Sequence, residues 1–182
     1  MASMKILIVK TTLFSRWCNH TIVLTRFGRS RYPFWVVSLY FQLMKNLSLA
    51  NIHVLIVEDD ENNRMVTRKL LQVEGVNGDN IFMLPEDPLP FLRSHLTPEI
   101  DLVLLDLQLP GKDGYTILAE MRANPLLAHI LVVAVTANVM REDVERAREA
   151  GFDGFLGKPI NGPLFGEYIQ RILNGEKVWA PT

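Results

Sequence analysis

The stretch Leu102-Val103-Leu104-Leu105-Asp106-Leu107-Gln108-Leu109-Pro110-Gly111 sets a fully apolar run against a carboxylate at its end. Consecutive apolar residues without alternation suit a strand buried on both faces, as in a parallel sheet covered by helices. Asp106 then stands at the carboxyl end of that strand, the edge where open parallel sheets place their ligands.

The pattern repeats outward from there. Apolar runs at His53–Val57, Ile81–Leu84, Leu131–Val135 and a short Gly154–Leu156 read as further strands. Between them lie segments of helical period: Val66, Leu70 and Val73 share one face, as do Ile117 or Leu118 with Met121. Met140 pairs with Val144, and Leu164, Tyr168 and Ile172 form the face of a last helix. A second helix is expected around Pro88–Leu96, with two prolines crowding its start. Five strand–helix units in alternation predict a doubly wound α/β fold, a five-stranded parallel sheet with helices on both faces.

Charge divides the chain. Residues 1–50 hold no acid and seven bases, a charge of +7, although the whole chain carries only −1. The expected organisation is a basic leader over 1–50, a domain over 51–175 and a C-terminal tail over 176–182. Met44-Lys45-Asn46 leads directly into the first strand, which predicts a natural start near Met44. The leader's bases lack the dense clustering of a nucleic-acid arm. Its longest uncharged run, Tyr32–Met44, is 13 residues, against the roughly 20 of a spanning helix. The lone Cys18 excludes an internal disulfide framework and predicts a reducing, cytoplasmic setting.

Just past each apolar run comes a polar group. The first strand ends in Glu58-Asp59-Asp60, the third in Asp106, the fourth in Thr136, and the fifth reaches Lys158; only the second has none, as suits a peripheral strand. Crowded carboxylates repel one another and call for a cation. A hard divalent ion such as Mg²⁺ suits an all-oxygen set of this kind. With the Lys158 ammonium and the Thr136 hydroxyl, the edge is equipped to stabilise a transferring phosphoryl group, and Asp106 is the best placed nucleophile. Asp60 and Asp113 read instead as helix caps or turn hydrogen-bonding residues, His53 as a packed histidine, and His95 and His129 as loop or surface residues.

Five pieces in order carry a resemblance: Val57-Glu58-Asp59-Asp60, Leu104-Leu105-Asp106-Leu107-Gln108-Leu109-Pro110-Gly111, Asp113-Gly114, Val135-Thr136-Ala137-Asn138 and Gly157-Lys158-Pro159. Thirty residues separate Asp106 from Thr136 and 22 separate Thr136 from Lys158. Residues 53–175 resemble the receiver domain of two-component response regulators, of the CheY-like, single-domain kind. The resemblance implies a flavodoxin-like sheet of order 2-1-3-4-5. It implies that Asp106 is the phosphoacceptor and that Asp59, Asp106 and the Gln108 backbone carbonyl bind Mg²⁺, with Glu58 acting mainly through water. Thr136 and Lys158 would contact phosphoryl oxygens, Phe155 takes the switch-aromatic position, and Gln108 and Asn138 would tune the acyl-phosphate lifetime. The Lys158–Pro159 bond is expected to be cis. Glu58 stands where many members have Asp, and Phe155 replaces a frequent tyrosine, which costs it a hydroxyl hydrogen bond.

The implied partners are a sensor histidine kinase or histidine phosphotransfer protein and a downstream protein target. A homodimer through the fourth helix, fifth strand and last helix is also allowed. A phosphatase with an aspartyl-phosphate intermediate would want an acid–base Asp two residues after the nucleophile, where this chain has Gln108, so no enzyme beyond its own phosphorylation and dephosphorylation is expected. Only Asn174–Thr182 follow the last helix, which predicts no output domain and an output by protein contact. Deleting residues 1–43 is expected to leave the melting temperature and phosphodonor labelling unchanged; a large loss of either would place the leader within the fold.

Overall fold

The computed structural model describes residues 49–94 and 99–181. The predicted leader apart from Leu49 and Ala50, together with His95 and the far end of the second predicted helix, lies outside the described residues.

The strands are β1 Val54–Val57, β2 Ile81–Leu84, β3 Leu102–Leu105, β4 Leu131–Thr136, β5 Gly154–Gly157 and β6 Val178–Ala180. They form one sheet of order β2-β1-β3-β4-β5-β6, with every neighbouring pair parallel. The predicted order therefore holds for the first five strands, and the peripheral second strand is an edge. The predicted count of five does not hold. Val178–Ala180, expected in a tail, adds a sixth strand against β5. Three residues are too short for periodicity to register, and the pairing partner is distant in sequence.

The helices are α1 Glu61–Val73, α2 Leu89–Ser94, α3 Gly114–Ala123, α4 Arg141–Ala150 and α5 Gly162–Leu173. Alternate residues of each strand enter opposite cores. Leu55, Val57, Val103, Leu105, Val132, Ala134 and Phe155 pack with α2, α3 and α4 through Leu92, Ile117, Met121 and Ala147. Val54, Ile56, Leu104, Val133 and Leu156 face α1 and α5 through Leu71, Phe165, Ile169 and Ile172. Both faces of the central strands are thus dry, which is why they could be read as unbroken apolar runs.

Three helical faces differ from expectation; in α4 Val144 is buried, but Met140, expected to share its face, is the exposed residue just before the helix. In α1 the buried positions are Thr67 and Leu71, whereas Met65, Val66 and Val73 are exposed. In α5 the core face is Phe165, Ile169 and Ile172; Leu164 is exposed and Tyr168 half-buried. In α1 and α5 apolar residues flank the buried stripe, so spacing alone allowed more than one face. Asp60 and Asp113 cap α1 and α3 as predicted, accepting from the backbone N–H groups of Asn63 and Thr116, each at 2.8 Å. No described helix is long and apolar enough to cross a membrane.

Arg122, at the end of α3, fastens the far edge of the sheet. It donates to the carbonyls of Ala128 and Ile130 and reaches the Asp153 carboxylate at 2.7 Å. The same carboxylate oxygen accepts the Val132 amide at 2.9 Å, at the start of β4. Arg122→Ala leaves these acceptors without their charged donor and is expected to cost about 2 kcal/mol by urea unfolding. A loss under about 0.5 kcal/mol, the range of a plain surface substitution, would show the clasp to be incidental.

Candidate phosphoacceptor and metal site

Asp106 follows β3 directly, so the dry strand delivers its carboxylate to the sheet edge while keeping it only 6% exposed. One oxygen accepts the backbone N–H of Gln108 at 2.9 Å, and the other accepts from Lys158 Nζ at 2.6 Å. The loop beyond returns tightly. The Gly114 N–H donates to the Leu107 carbonyl at 3.1 Å, and a Cβ at Gly114 would lie 2.8 Å from the Asp106 carbonyl oxygen. Only glycine lets α3 begin this close to Asp106.

Glu58, buried at the end of β1, also pairs with Lys158 through one carboxylate oxygen. Its other oxygen accepts from Asn63 Nδ2 at 3.0 Å. Arg64 donates to the backbone carbonyls of Glu58 and Asp59, at 2.5 and 2.7 Å. Asn63 and Arg64 therefore brace the acidic turn, a role absent from the sequence reading. The usable signal was the Asp60 cap, which fixes the first turn of α1 so that the next residues reach back to the loop.

Oxygens of Glu58, Asp59 and Asp106 lie within 4.8 Å of one another; Asp59 is exposed and the other two are buried. This is a hard, all-oxygen donor set open to solvent on one side, and it fits a divalent cation that keeps part of its water shell.

Thr136 ends β4 fully buried. Its hydroxyl oxygen accepts the Asn138 N–H at 3.3 Å, leaving its own hydrogen to donate, and its carbonyl accepts the Lys158 N–H at 2.8 Å. The Lys158–Pro159 bond is cis, as expected. Gln108 and Asn138 are exposed at the mouth and line a pocket of about 200 Å³ with Leu107, Asp113, Tyr115, Asp143 and Arg146. Lys112 ties this loop to its neighbours, pairing with Asp87 at 2.8 Å and Glu120 at 2.9 Å. Phe155, by contrast, is wholly buried in the core shared with α3 and α4.

The model of the response regulator receiver domain matches residues 54–170. This chain belongs to that family. The polar-differentiation response regulator DivK of Brucella ovis is 37% identical over 120 residues, spanning 66% of this chain and 94% of the relative. Among solved structures, the receiver domain of a Pseudomonas aeruginosa sensor histidine kinase holds a magnesium ion in its active-site cleft. It superposes with a TM-score of 0.58 at 29% identity, covering 68% of this chain and 98% of its own. The signal receiver domain of a DNA-binding response regulator from Colwellia psychrerythraea gives 0.58 at 26% identity over the same shares.

In this receiver domain Lys158 serves two carboxylates at once. Burial works against its charge, but the hydrogen bonds and charges of Asp106 and Glu58 outweigh it and hold the ammonium above its usual pKa. While its carboxylate partners stay ionised, a lysine raised in this way contributes stability below its ordinary pKa, and that contribution fades as pH climbs through the raised value. Lys158→Met would strand two buried carboxylates, at an expected cost of about 3 kcal/mol. Millimolar Mg²⁺ should then raise the melting temperature of the variant more than that of the wild type. An equal rise in both would show that Lys158 does not compete with a cation for these oxygens.

Proposed function

We propose that this receiver domain accepts a phosphoryl group on Asp106 from a phosphohistidine, with Mg²⁺ present, and signals through protein contacts. The observation that carries the reading is the buried Asp106 carboxylate held 2.6 Å from Lys158 Nζ, within one cluster with Glu58 and Asp59. The magnesium in the Pseudomonas relative supports the same assignment of the acidic residues.

In the transfer, an Asp106 oxygen attacks phosphorus, the P–O bond forms as the P–N bond breaks, and the imidazole leaves with that electron pair. Lys158 and the Thr136 hydroxyl then hold the phosphoryl oxygens, fixed donors that need little reorganisation as charge shifts. Asp59, Asp106 and the Gln108 carbonyl would hold the metal, with Glu58 acting through water; the ion supplies charge neutralisation between two acids and an incoming anion. Gln108 and Asn138, exposed beside the acceptor, are placed to govern the approach of water and hence the phosphoryl lifetime.

The donor is a sensor histidine kinase or a histidine phosphotransfer protein, and the output is a contact with a downstream protein. Because the phosphoryl group binds one arrangement of Thr136 and Lys158 better, it biases a two-state surface rather than creating a new one. Lone Cys18 supports a cytoplasmic setting. No turnover of an external phosphate ester is expected, since Gln108 replaces the acid–base Asp that such chemistry wants. As for a homodimer on the α4–β5–α5 face, β6 lies along the β5 edge, so such a dimer would meet that strand first.

Asp106→Asn should abolish acid-labile labelling by a small-molecule phosphodonor while leaving the melt intact. Undiminished labelling would move the acceptor elsewhere, and hydrolysis of a generic phosphate ester above background would favour a phosphatase.

A further inference from the structure

The added strand β6 rests on β5, the strand that leads into Lys158. Its ladder with β5 pairs Gly154 with Val178, Phe155 with Trp179 and Leu156 with Ala180. Two glycines make the approach possible. A Cβ at Gly154 would sit 3.2 Å from the Val178 carbonyl oxygen, and one at Gly157 would overlap the backbone carbonyl of Pro181. From the side, the Arg148 guanidinium of α4 lies over the Trp179 ring at 4.9 Å. Val178 is the one buried side chain of the strand; Trp179, Ala180 and Pro181 stay half-buried. A three-residue edge strand with one buried side chain, and with Trp179 and Ala180 packing only in part against the two cores, belongs to the less stable end of a structure, where local opening costs less.

What lies beneath β6 is not incidental. Phe155, directly paired with Trp179, is fully covered. Gly157, packed against Pro181 without slack, is covalently joined to Lys158. Lys158 in turn is fixed by its N–H on the Thr136 carbonyl and by Nζ on Asp106. Adjacent residues thus carry the contact to β6 and the contact to the acceptor. When the Asp106 carboxylate becomes a larger, dianionic acyl phosphate, Lys158 must move to follow it, and Gly157 has no room on the Pro181 side to absorb the shift.

We propose that Val178–Pro181 is a displaceable strap: it docks on β5 while Asp106 is free and is released when Asp106 is phosphorylated. Release uncovers the β5 edge and the surface over Phe155 for an extended segment of a protein partner, which would add to the sheet in place of the strap. The inference rests on the phosphoacceptor reading and adds a regulated element to it. Coupling is reciprocal, so the strap must also oppose formation of the phosphorylated arrangement.

Hydrogen exchange on the full chain, with Mg²⁺ and beryllofluoride as phosphoryl mimic, reads the strap directly. The Val178–Ala180 amides are expected to exchange about 5-fold faster or more when the mimic binds, and not in Asp106→Asn. Trp179→Ala, and Arg148→Gln as a milder change on an exposed side chain, should bind the mimic tighter by a similar factor in calorimetry. Unchanged or slower strap exchange with calorimetric binding intact would overturn the strap and leave the acceptor reading standing. So would equal mimic affinity in wild type and both variants. A wild type that takes up no mimic would overturn the acceptor reading and the strap with it.

Discussion

Lys158 joins two buried carboxylates, Asp106 and Glu58, that arrive on different strands and would otherwise repel each other. Much of the molecule can be understood as the means of holding that bridge. Two acids with only 6% and 4% exposure are tolerable at one edge because a partly buried ammonium answers both. The same bridge is provisional by design of its chemistry. A divalent cation and a phosphoryl group would each offer these atoms a competing partner, so the site is stable in one arrangement and receptive to another.

The sheet explains why the bridge forms where it does. A parallel sheet dry on both faces leaves no place for charge within β1, β3 or β4, so polar side chains appear where the strands stop. Parallel pairing then brings all those stops to one edge. The support around the edge is local: Asn63 and Arg64 hold the acidic turn, Gly114 lets α3 close behind Asp106, and Lys112 ties the loop to Asp87 and Glu120. Geometry of this kind favours electrostatic preorganisation over elaborate chemistry, which suits the phosphoryl transfer proposed for it.

Along the far side of β5 the structure departs from a bare five-stranded receiver. β6 turns the open β5 edge into a paired one and sets Trp179 in register with Phe155. An exposed strand edge is a standing invitation to other chains, and a short self-supplied strand is one way to blunt it. Here that cover also packs against Gly157, one residue from Lys158.

The sequence by itself determined the class of fold and which polar residues gather at one sheet edge. Strand runs such as Leu102–Leu105 are legible because burial on both faces leaves no alternation to misread. Glu58, Asp59, Asp106, Thr136 and Lys158 are legible because a polar residue at the end of an apolar run has few other reasons to be there. Caps at Asp60 and Asp113 followed from local hydrogen bonding, which depends only on neighbours in the chain. The helix faces were less secure, since Val66 and Leu164 look as apolar as the residues that are buried. What only the tertiary structure decided was everything set by contacts distant in sequence. Lys158 meets Asp106 across 52 residues, Lys112 finds Asp87 on the far side of α2 and β3 in sequence, and Val178–Ala180 becomes a strand only because β5 offers glycines at both ends. Three residues carry no period of their own; the edge they dock on gives them their structure.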